Sequence, residues 1–255
     1  PSFKVCEFPI EPYHTAFTAH YLIHDVDASY LFDNETLCAD LVSSGLDPKS
    51  SQGVKEAALT ELIVPAMVGS THGFRFPHHA TPDLRSLVQD LVVIPKLHFL
   101  SVVVSKLPSP TADSPWAGRV DFSAAPFLPH WEDVPRFVKY RACAATYRGN
   151  ASVNDINDLF ATFPTGARHT VSHCTAPAPA PDHTVTLVGN HSSMQYVWER
   201  IYAQYNTLYR RKAFMKIYMG TGMDEMECVE AWEDLCNLIE EYKQRQDDSK
   251  DTSIV

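Results

Sequence analysis

The sequence predicts an α/β (α+β) fold in which a mixed sheet with helices is followed by a carboxyl-terminal helical hairpin. Strand-like and helix-like segments alternate along the upstream part of the chain, which is typical of folds that layer helices on a sheet. After a short strand pattern at residues 185–190, apolar residues recur at helical spacing. Two nearby glycines then separate this segment from a second, acidic helix. The 255 residues are enough to bury a substantial core in one large or two small domains.

The upstream elements are predicted from apolar periodicity and turn residues. The predicted helices cover residues 13–24, 55–70, 83–93 and 153–163, and the predicted strands cover residues 97–104 and 139–147. Two proline-rich segments, 105–115 and 176–181, are predicted to be loops, because proline lacks the backbone N–H that a central strand needs.

The first helix of the hairpin has an apolar face. Ser192 or Ser193 is the predicted N-cap, since a short hydroxyl side chain accepts a hydrogen bond from a free backbone N–H of the first turn. Gly220 and Gly222 are predicted to end the helix, because glycine adopts left-handed conformations without a Cβ clash. The residues at helical spacing are Met194, Val197, Trp198, Ile201, Tyr205 and Leu208. We therefore expect this helix to pack on a core.

The second helix of the hairpin is predicted to expose an acidic surface. Asp224 and Glu227 have the spacing of a capping box at its start. Its predicted apolar stripe consists of Val229, Trp232, Cys236 and Ile239. The carboxylates expected to face solvent are Glu225, Glu230, Glu233, Asp234, Glu240 and Glu241.

Composition and charge exclude several classes of partner. The chain is 45% hydrophobic and 20% charged, as in ordinary globular proteins, and its net charge of -10 favours basic partners over nucleic acid or anionic membrane. No apolar run is long enough to span a bilayer. The first residues lack a signal-peptide pattern and an initiator Met, so we expect the chain to begin inside a longer protein.

Cysteine and histidine spacing predicts neither disulfides nor a metal site. The six cysteines form no CxxC pair, which favours reduced cytosolic thiols. His20 and His24 lie one helical turn apart and His78 is followed by His79, so either pair is a candidate for metal ligation. No acidic or cysteine partner lies nearby in a recognised pattern, and a structural role is therefore favoured for both pairs.

Three runs near the carboxyl-terminal end resemble one protein family. They are VTLVGN at 185–190, RRKAF at 210–214 and GTGMDEME at 220–227. Together they resemble the carboxyl-terminal region of tubulins, with β-type tubulins the closest and this chain divergent from them. Shorter upstream matches follow in family order: PSFKV at 1–5, EPY at 11–13, DNE at 33–35, FRFP at 74–77, DLR at 83–85, PKLHF at 95–99 and YRG at 147–149.

The resemblance implies a division of the chain into four parts. Residues 1–54 would be the remnant of a Rossmann-like nucleotide-binding domain, and residues 55–188 would form the core helix and intermediate domain. Residues 189–246 would form the carboxyl-terminal helices, and residues 247–255 a flexible tail.

The resemblance also implies where a guanine nucleotide lies. Glu7 and Glu11 match acidic residues that meet the ribose, and Asn34 matches an asparagine that reads the base. A solvated strand edge for the two glutamates, and a turn residue for Asn34, remain the alternatives. The positions expected to hold a stacking aromatic and a second asparagine hold Glu56 and Thr60, and a carboxylate has no π face for stacking.

The resemblance implies no catalytic residue in this chain. Tubulins carry a glycine-rich phosphate loop upstream of the matching region, and this sequence contains none, so GTP is expected as a cofactor of the full-length protein only. Ser86 stands where α-type tubulins have the glutamate that activates water for GTP hydrolysis. A serine without a histidine base is a poor general base, so Ser86 is expected to be a surface helix residue.

Two functions remain open at this point. The favoured one is a structural subunit of microtubules or a related cytoskeletal assembly in the cytoplasm, including centrioles or axonemes, with other tubulin subunits as partners. Motors or microtubule-associated proteins would bind the acidic helix at 224–246. The alternative is a nucleotide-free tubulin-like interaction module that caps, sequesters or scaffolds tubulin.

Overall fold

A mixed five-stranded sheet with helices packed against it forms the centre of the computed structural model. The structure describes residues 8–43, 45–47, 50–75, 83–107, 140–149, 168–174 and 183–251. The strands are β1 (Ser29–Tyr30), β2 (Phe99–Leu107), β3 (Tyr140–Arg148), β4 (Arg168–Cys174) and β5 (His183–His191), in the spatial order β1-β2-β5-β3-β4. The β1–β2 and β3–β4 pairs are parallel, whereas β5 is antiparallel to both of its neighbours. The predicted α/β (α+β) class is confirmed.

Eight helices belong to the described part of the chain. They are α1 (Glu11–Asp25), α2 (Asn34–Ser43), α3 (Gln52–Ser70), α4 (His72–Arg75), α5 (Leu84–Leu91), α6 (Met194–Arg210), α7 (Met215–Gly220) and α8 (Glu225–Asp251). Helix α3 packs on β2 and β5, and α5 packs on β3 and β4. Helices α1, α6 and α8 pack on one another and form a separate helical layer. None of the described helices is long and apolar enough to cross a bilayer.

The molecule has two hydrophobic cores. One lies between the sheet and helices α2, α3 and α5, and includes Leu91, Val102 and Leu187. The other fills the three-helix layer and reaches the start of β2, where the rings of Phe99 and Trp198 lie 4.6 Å apart. Strand β2 therefore joins the two cores, because it contributes residues to both.

Tyr13 packs the start of α1 into the helical core. Its side chain is fully buried, and its hydroxyl donates a 2.9 Å hydrogen bond to the carbonyl of Ala213. Its ring meets that of Tyr205 edge-on at 5.2 Å. Burial raises the pKa of Tyr13 to about 12, so the phenol stays protonated and remains a donor. The start of α1 is thereby fixed relative to α6 and α7.

The strongest sequence patterns are confirmed, with boundary shifts. Helices at 13–24, 55–70 and 83–93 correspond to α1, α3 and α5, and the strands at 97–104, 139–147 and 185–190 correspond to β2, β3 and β5. The loop predicted at 105–115 begins too early, because β2 continues to Leu107 in pairing with β5. The helix predicted at 153–163 and the loop at 176–181 lie outside the described residues.

At the start of α6 the predicted N-cap position is confirmed without its capping bond, and the predicted end of the helix is wrong. Ser193 stands at the N-cap without a side-chain capping bond, because its hydroxyl is hydrogen-bonded to His191 Nδ1 at 2.6 Å instead. Helix α6 also ends at Arg210, well before the two glycines. Lys212 and Phe214 take left-handed backbone angles there, with φ of 49° and 60°, and turn the chain into the short helix α7. Gly222, at φ 101°, follows α7 rather than α6.

The start of α8 is confirmed, and its buried stripe is corrected. The Asp224 backbone N–H donates to Glu227 Oε1 at 3.3 Å, as in a capping box. The buried stripe is rotated by about one position from the prediction, because Val229, Trp232 and Cys236 are only partly buried. The fully buried positions are Cys228, Ala231, Leu235, Leu238, Ile239 and Tyr242. The helix continues to Asp251, past the start of the tail expected from residue 247.

Candidate nucleotide-proximal edge and outer helical surface

Asp33 anchors the start of α2, next to the predicted base-reading Asn34. The Thr36 hydroxyl donates to Asp33 Oδ2 at 2.6 Å, and the Thr36 backbone N–H approaches the same oxygen at 3.4 Å. The other oxygen, Asp33 Oδ1, accepts from Arg200 Nη2 of α6 at 2.5 Å. Arg200 Nη1 also lies 3.1 Å from Glu35 Oε2. One guanidinium thus holds the carboxylates on both sides of Asn34.

The three charged groups of this arrangement are almost fully buried. The Asp33 side chain is 4% exposed, the Arg200 side chain 10% and the Glu35 side chain 12%. A buried charge is costly without a partner, so the two carboxylates and the guanidinium depend on one another. Sequence reasoning missed Arg200, because 167 positions separate it from Asp33 and no local signal links them.

The predicted nucleotide-binding residues occupy helix starts where the structure describes them. Asn34 is the first residue of α2 and Glu11 is the first residue of α1, and both are partly buried. The helix dipole favours a carboxylate in the first turn of a helix. An acidic residue at position 11 therefore has a structural explanation that does not require a bound ribose. Glu7 lies outside the described residues. The nucleotide roles of Glu7, Glu11 and Asn34 stay predictions.

Glu56 and Thr60 lie one turn apart on α3 and are exposed. Glu56 Oε1 accepts from Gln52 Nε2 at 3.2 Å, and the Thr60 hydroxyl donates to the Glu56 carbonyl at 2.8 Å. These contacts are local to the first turns of α3. These contacts do not test whether the purine site is altered at Glu56 and Thr60, and that alteration stays a prediction.

Ser86 has a capping role at the start of α5. Its backbone N–H donates to Asp83 Oδ1 at 2.6 Å, and its hydroxyl donates to the same oxygen. The hydrogen bond from the Ser86 side chain lowers the pKa of the Asp83 carboxyl, because it favours the ionised form. A hydroxyl held by a carboxylate at an N-cap stabilises the helix, which agrees with the expectation of a surface helix residue.

His191 lies between two serines in an arrangement that resembles a nucleophile and base. Its Nε2 is 2.8 Å from Ser101 Oγ, and its Nδ1 is 2.6 Å from Ser193 Oγ. All three residues are at most 2% exposed, so no substrate reaches them. Burial lowers the pKa of His191 to about 4, and the neutral ring is therefore a structural link between β5, β2 and the start of α6.

Curated relatives of this chain share one description. The tubulin beta-1 chain of Colletotrichum gloeosporioides is 32% identical over 266 residues, covering 98% of this chain. The tubulin beta chain of Candida albicans is 32% identical over 269 residues, and that of Aspergillus fumigatus is 31% identical over 267 residues, each again covering 98% of this chain. The chain belongs to the tubulin family. It is a divergent member and spans 58% of the length of these tubulins. No protein-family model matches it.

Helix α3 of this tubulin chain exposes several large apolar side chains. Its buried positions are Leu59, Ala66 and Ser70. Five large apolar side chains are between 36% and 52% exposed: Val54, Leu62, Val64, Met67 and Val68. We call these five residues the α3 apolar face. These positions spread over more than half of the helix circumference, and large exposed apolar side chains in such number often mark a place where another layer or partner packs.

The outer side of α8 in this tubulin chain is acidic, as predicted, although Glu225, Asp234 and Glu241 are only partly exposed. The exposed carboxylates at helical spacing are Glu227, Glu230, Glu233 and Glu240, and we call them the α8 acidic face. Asp234 was expected to face solvent and does not, because its side chain turns toward α1 and is 19% exposed. Its partners there are His20 and His24.

Proposed function

We propose that this chain is the carboxyl-terminal portion of an assembly subunit of microtubules or of a related tubulin polymer. The observation that carries the proposal is the α3 apolar face, taken together with tubulin relatives that extend well beyond the matched region. A helix of 19 residues with only three buried positions is poorly stabilised by the described residues alone. In the full-length protein a further layer covers the α3 apolar face.

That further layer is the half that holds GTP in this proposal. Nucleotide phosphates are commonly bound at a glycine-rich loop before a helix start, and the sequence of this chain contains no glycine-rich loop. Residues 1–54 then contribute the remaining edge of the nucleotide domain, with Glu7 and Glu11 toward the ribose and Asn34 toward the base. Residues 55–188 form the intermediate domain and residues 189–246 the outer helices. The buried Arg200 guanidinium fixes the segment around Asn34 for this role.

Contacts with other tubulin subunits are proposed for the turn and short helix around α7. Phe214, Ile217 and Met219 are 42%, 56% and 41% exposed, and they lie within six residues of one another. Three exposed apolar side chains so close in sequence support a protein interface, because clustered exposed apolar surface often marks an interaction site. The α8 acidic face is separate from this surface in sequence and is the proposed contact for motors or associated proteins with basic surfaces.

The experiment uses the polypeptide as it exists in its source cell. An antibody against α8 isolates it, its intact mass is measured, and it is exposed to photoreactive GTP and to polymerising tubulin. The proposal predicts a mass larger than 28.6 kDa by about one domain, covalent labelling by GTP and sedimentation with the polymer.

A native product of 28.6 kDa that binds tubulin without GTP labelling would instead establish the interaction module, which caps, sequesters or scaffolds tubulin. A product of any mass that neither labels with GTP nor binds tubulin would overturn both functions.

A further inference from the structure

Two histidines of α1 converge on one carboxylate of α8. His20 Nδ1 lies 2.6 Å from Asp234 Oδ2, and His24 Nε2 lies 2.8 Å from the same oxygen. The two imidazole rings are 5.3 Å apart between centroids, at an interplanar angle of 68°. The ligand atoms of the three residues all lie within 4.8 Å of one another. Among the described residues, no other group of three or more histidine, cysteine or acidic side chains meets this condition.

From this geometry we propose a surface site for one zinc ion, with His20 Nδ1, His24 Nε2 and an Asp234 carboxylate oxygen as its ligands. Two imidazoles and one carboxylate are a ligand set that zinc commonly takes. Three protein ligands leave the fourth tetrahedral position for water or for a side chain of a bound partner.

The site needs only a small rearrangement to accept the ion. Zinc lies about 2.0–2.1 Å from nitrogen and oxygen ligands, which sets ligand atoms about 3.3 Å apart in a tetrahedron. The present distances of 2.6 and 2.8 Å therefore have to lengthen by roughly 0.7 and 0.5 Å, within the range of a rotamer adjustment. The two ring nitrogens, which now lie within 4.8 Å of each other, have to take up the same spacing. His24 is 55% exposed and has room for this movement, while α1 holds the backbones of both histidines at a fixed one-turn spacing.

Zinc binding at this site requires only a proton shift or a proton release at the two histidines. Each ring nitrogen that faces Asp234 must present a lone pair to zinc, so a neutral imidazole shifts its proton to its other nitrogen. An imidazolium instead releases one proton to solvent. Asp234 binds as the carboxylate, and no redox step or co-reactant is involved.

The local electrostatics favour a cation. His24 lies in the last turn of α1, where the backbone carbonyls of the helix end carry partial negative charge. Glu230 and Glu233 of α8 are exposed within four residues of Asp234, and the chain as a whole carries a net charge of -10. A divalent ion at this point joins α1 to α8, two helices that are already packed together. It would raise the free energy of unfolding by RT ln(1 + c/Kd), where c is the free zinc concentration.

The sequence alone had favoured a structural role for His20 and His24, because no acidic partner was visible near them. In the folded chain that acidic partner is Asp234, which lies 214 positions after His20. His78 and His79, the other candidate pair, lie outside the described residues.

The test measures zinc binding to the full chain after chelator treatment, by calorimetric titration with ZnCl2. The matched variants are His24→Ala and Asp234→Asn, and the control is His14→Ala, since His14 is an exposed histidine of the same helix outside the cluster. We expect one ion per chain to bind, with affinity at least about tenfold weaker in both cluster variants and unchanged in the control. His24 is exposed enough for His24→Ala to fold even if Asp234→Asn does not.

Cobalt supplies a second readout. Co2+ in a tetrahedral site of nitrogen and oxygen ligands absorbs strongly in the visible range, without the near-ultraviolet band that cysteine ligands produce. Visible absorption that disappears in His24→Ala and persists in His14→Ala supports the site. Equal zinc affinity in all four proteins, an absorption band of cysteine coordination, or no binding at all would each overturn it.

Discussion

Arg200 of α6 and Asp33 at the start of α2 form an ion pair of 2.5 Å across 167 positions of the chain. The pair is almost fully buried, and it connects the helical layer with the segment that carries Asn34. Because the same guanidinium also contacts Glu35, its position determines the shape of this segment on both sides of Asn34.

Replacing Arg200 should destabilise the protein strongly. Arg200→Leu leaves two nearly buried carboxylates without their cation, which typically costs about 3–5 kcal/mol. Glu199→Gln is the matched control on the same helix. Its exposed pair with Lys243 should contribute no more than about 1 kcal/mol. Urea unfolding of both variants provides the comparison, and equal stability losses would show that the buried pair has no special weight.

A glycine fixes the approach of α3 to the sheet. A Cβ atom added to Gly69 would lie 2.0 Å from the Thr186 hydroxyl oxygen of β5, so Gly69→Ala requires the helix or strand to move. Overpacking of this kind costs roughly 1–3 kcal/mol. Gly53→Ala, on the same helix with nothing within 4 Å, should instead gain up to about 1 kcal/mol. A stability loss in Gly69→Ala with a gain in Gly53→Ala, measured by thermal unfolding, would confirm the close packing of α3 on β5. A stability gain in both variants would refute it.

His191 should make stability depend on pH. Burial lowers its pKa from 6.5 to about 4, so the folded state binds this proton less readily than the unfolded state. Its contribution to stability is complete above pH 6.5 and is lost as the pH falls through about 4, by about 3 kcal/mol in all. His191→Gln does not titrate and should flatten the stability profile in this interval. His14→Gln, at an exposed histidine, should leave the wild-type profile intact; a profile unaltered by His191→Gln would contradict the account.

The side-chain amide of Asn34 carries both a hydrogen-bond donor and an acceptor. In the proposed full-length protein these groups bind the guanine base of GTP. Asn34→Ala should weaken GTP binding by about tenfold, the effect of losing roughly one good hydrogen bond to a ligand. Asn237→Ala, at an exposed position of α8, should bind GTP normally. Fluorescent nucleotide titration measures both. Unchanged affinity in Asn34→Ala would leave Asn34 with only its structural position at the start of α2.

Local patterns predicted much of the fold. Helices α1, α3 and α5, strands β2, β3 and β5, and the capping box of α8 all follow from spacing and turn residues, because each depends on neighbours in sequence. Helix α2 and strand β4 were not predicted, since the Asp33 and Asn34 pair indicated a turn and the polar residues of β4 concealed its pairing with β3.

Long-range contacts were beyond local reasoning. The end of α6 was misplaced because the left-handed angles occur at Lys212 and Phe214, which are not glycines. The hydroxyl of Ser193 was assigned to a cap, whereas the fold brings it to His191. Arg200 with Asp33, and Asp234 with His20, depend on tertiary packing of distant helices, so no spacing rule indicates them.

The most direct test of the central claim is GTP labelling of the native polypeptide, isolated with an antibody against α8 and weighed by mass spectrometry. A GTP-dependent assembly subunit gives a product larger than 28.6 kDa that labels with photoreactive GTP and sediments with microtubules. A native product of 28.6 kDa that takes up no label would contradict the claim that this chain is part of a GTP-dependent assembly subunit.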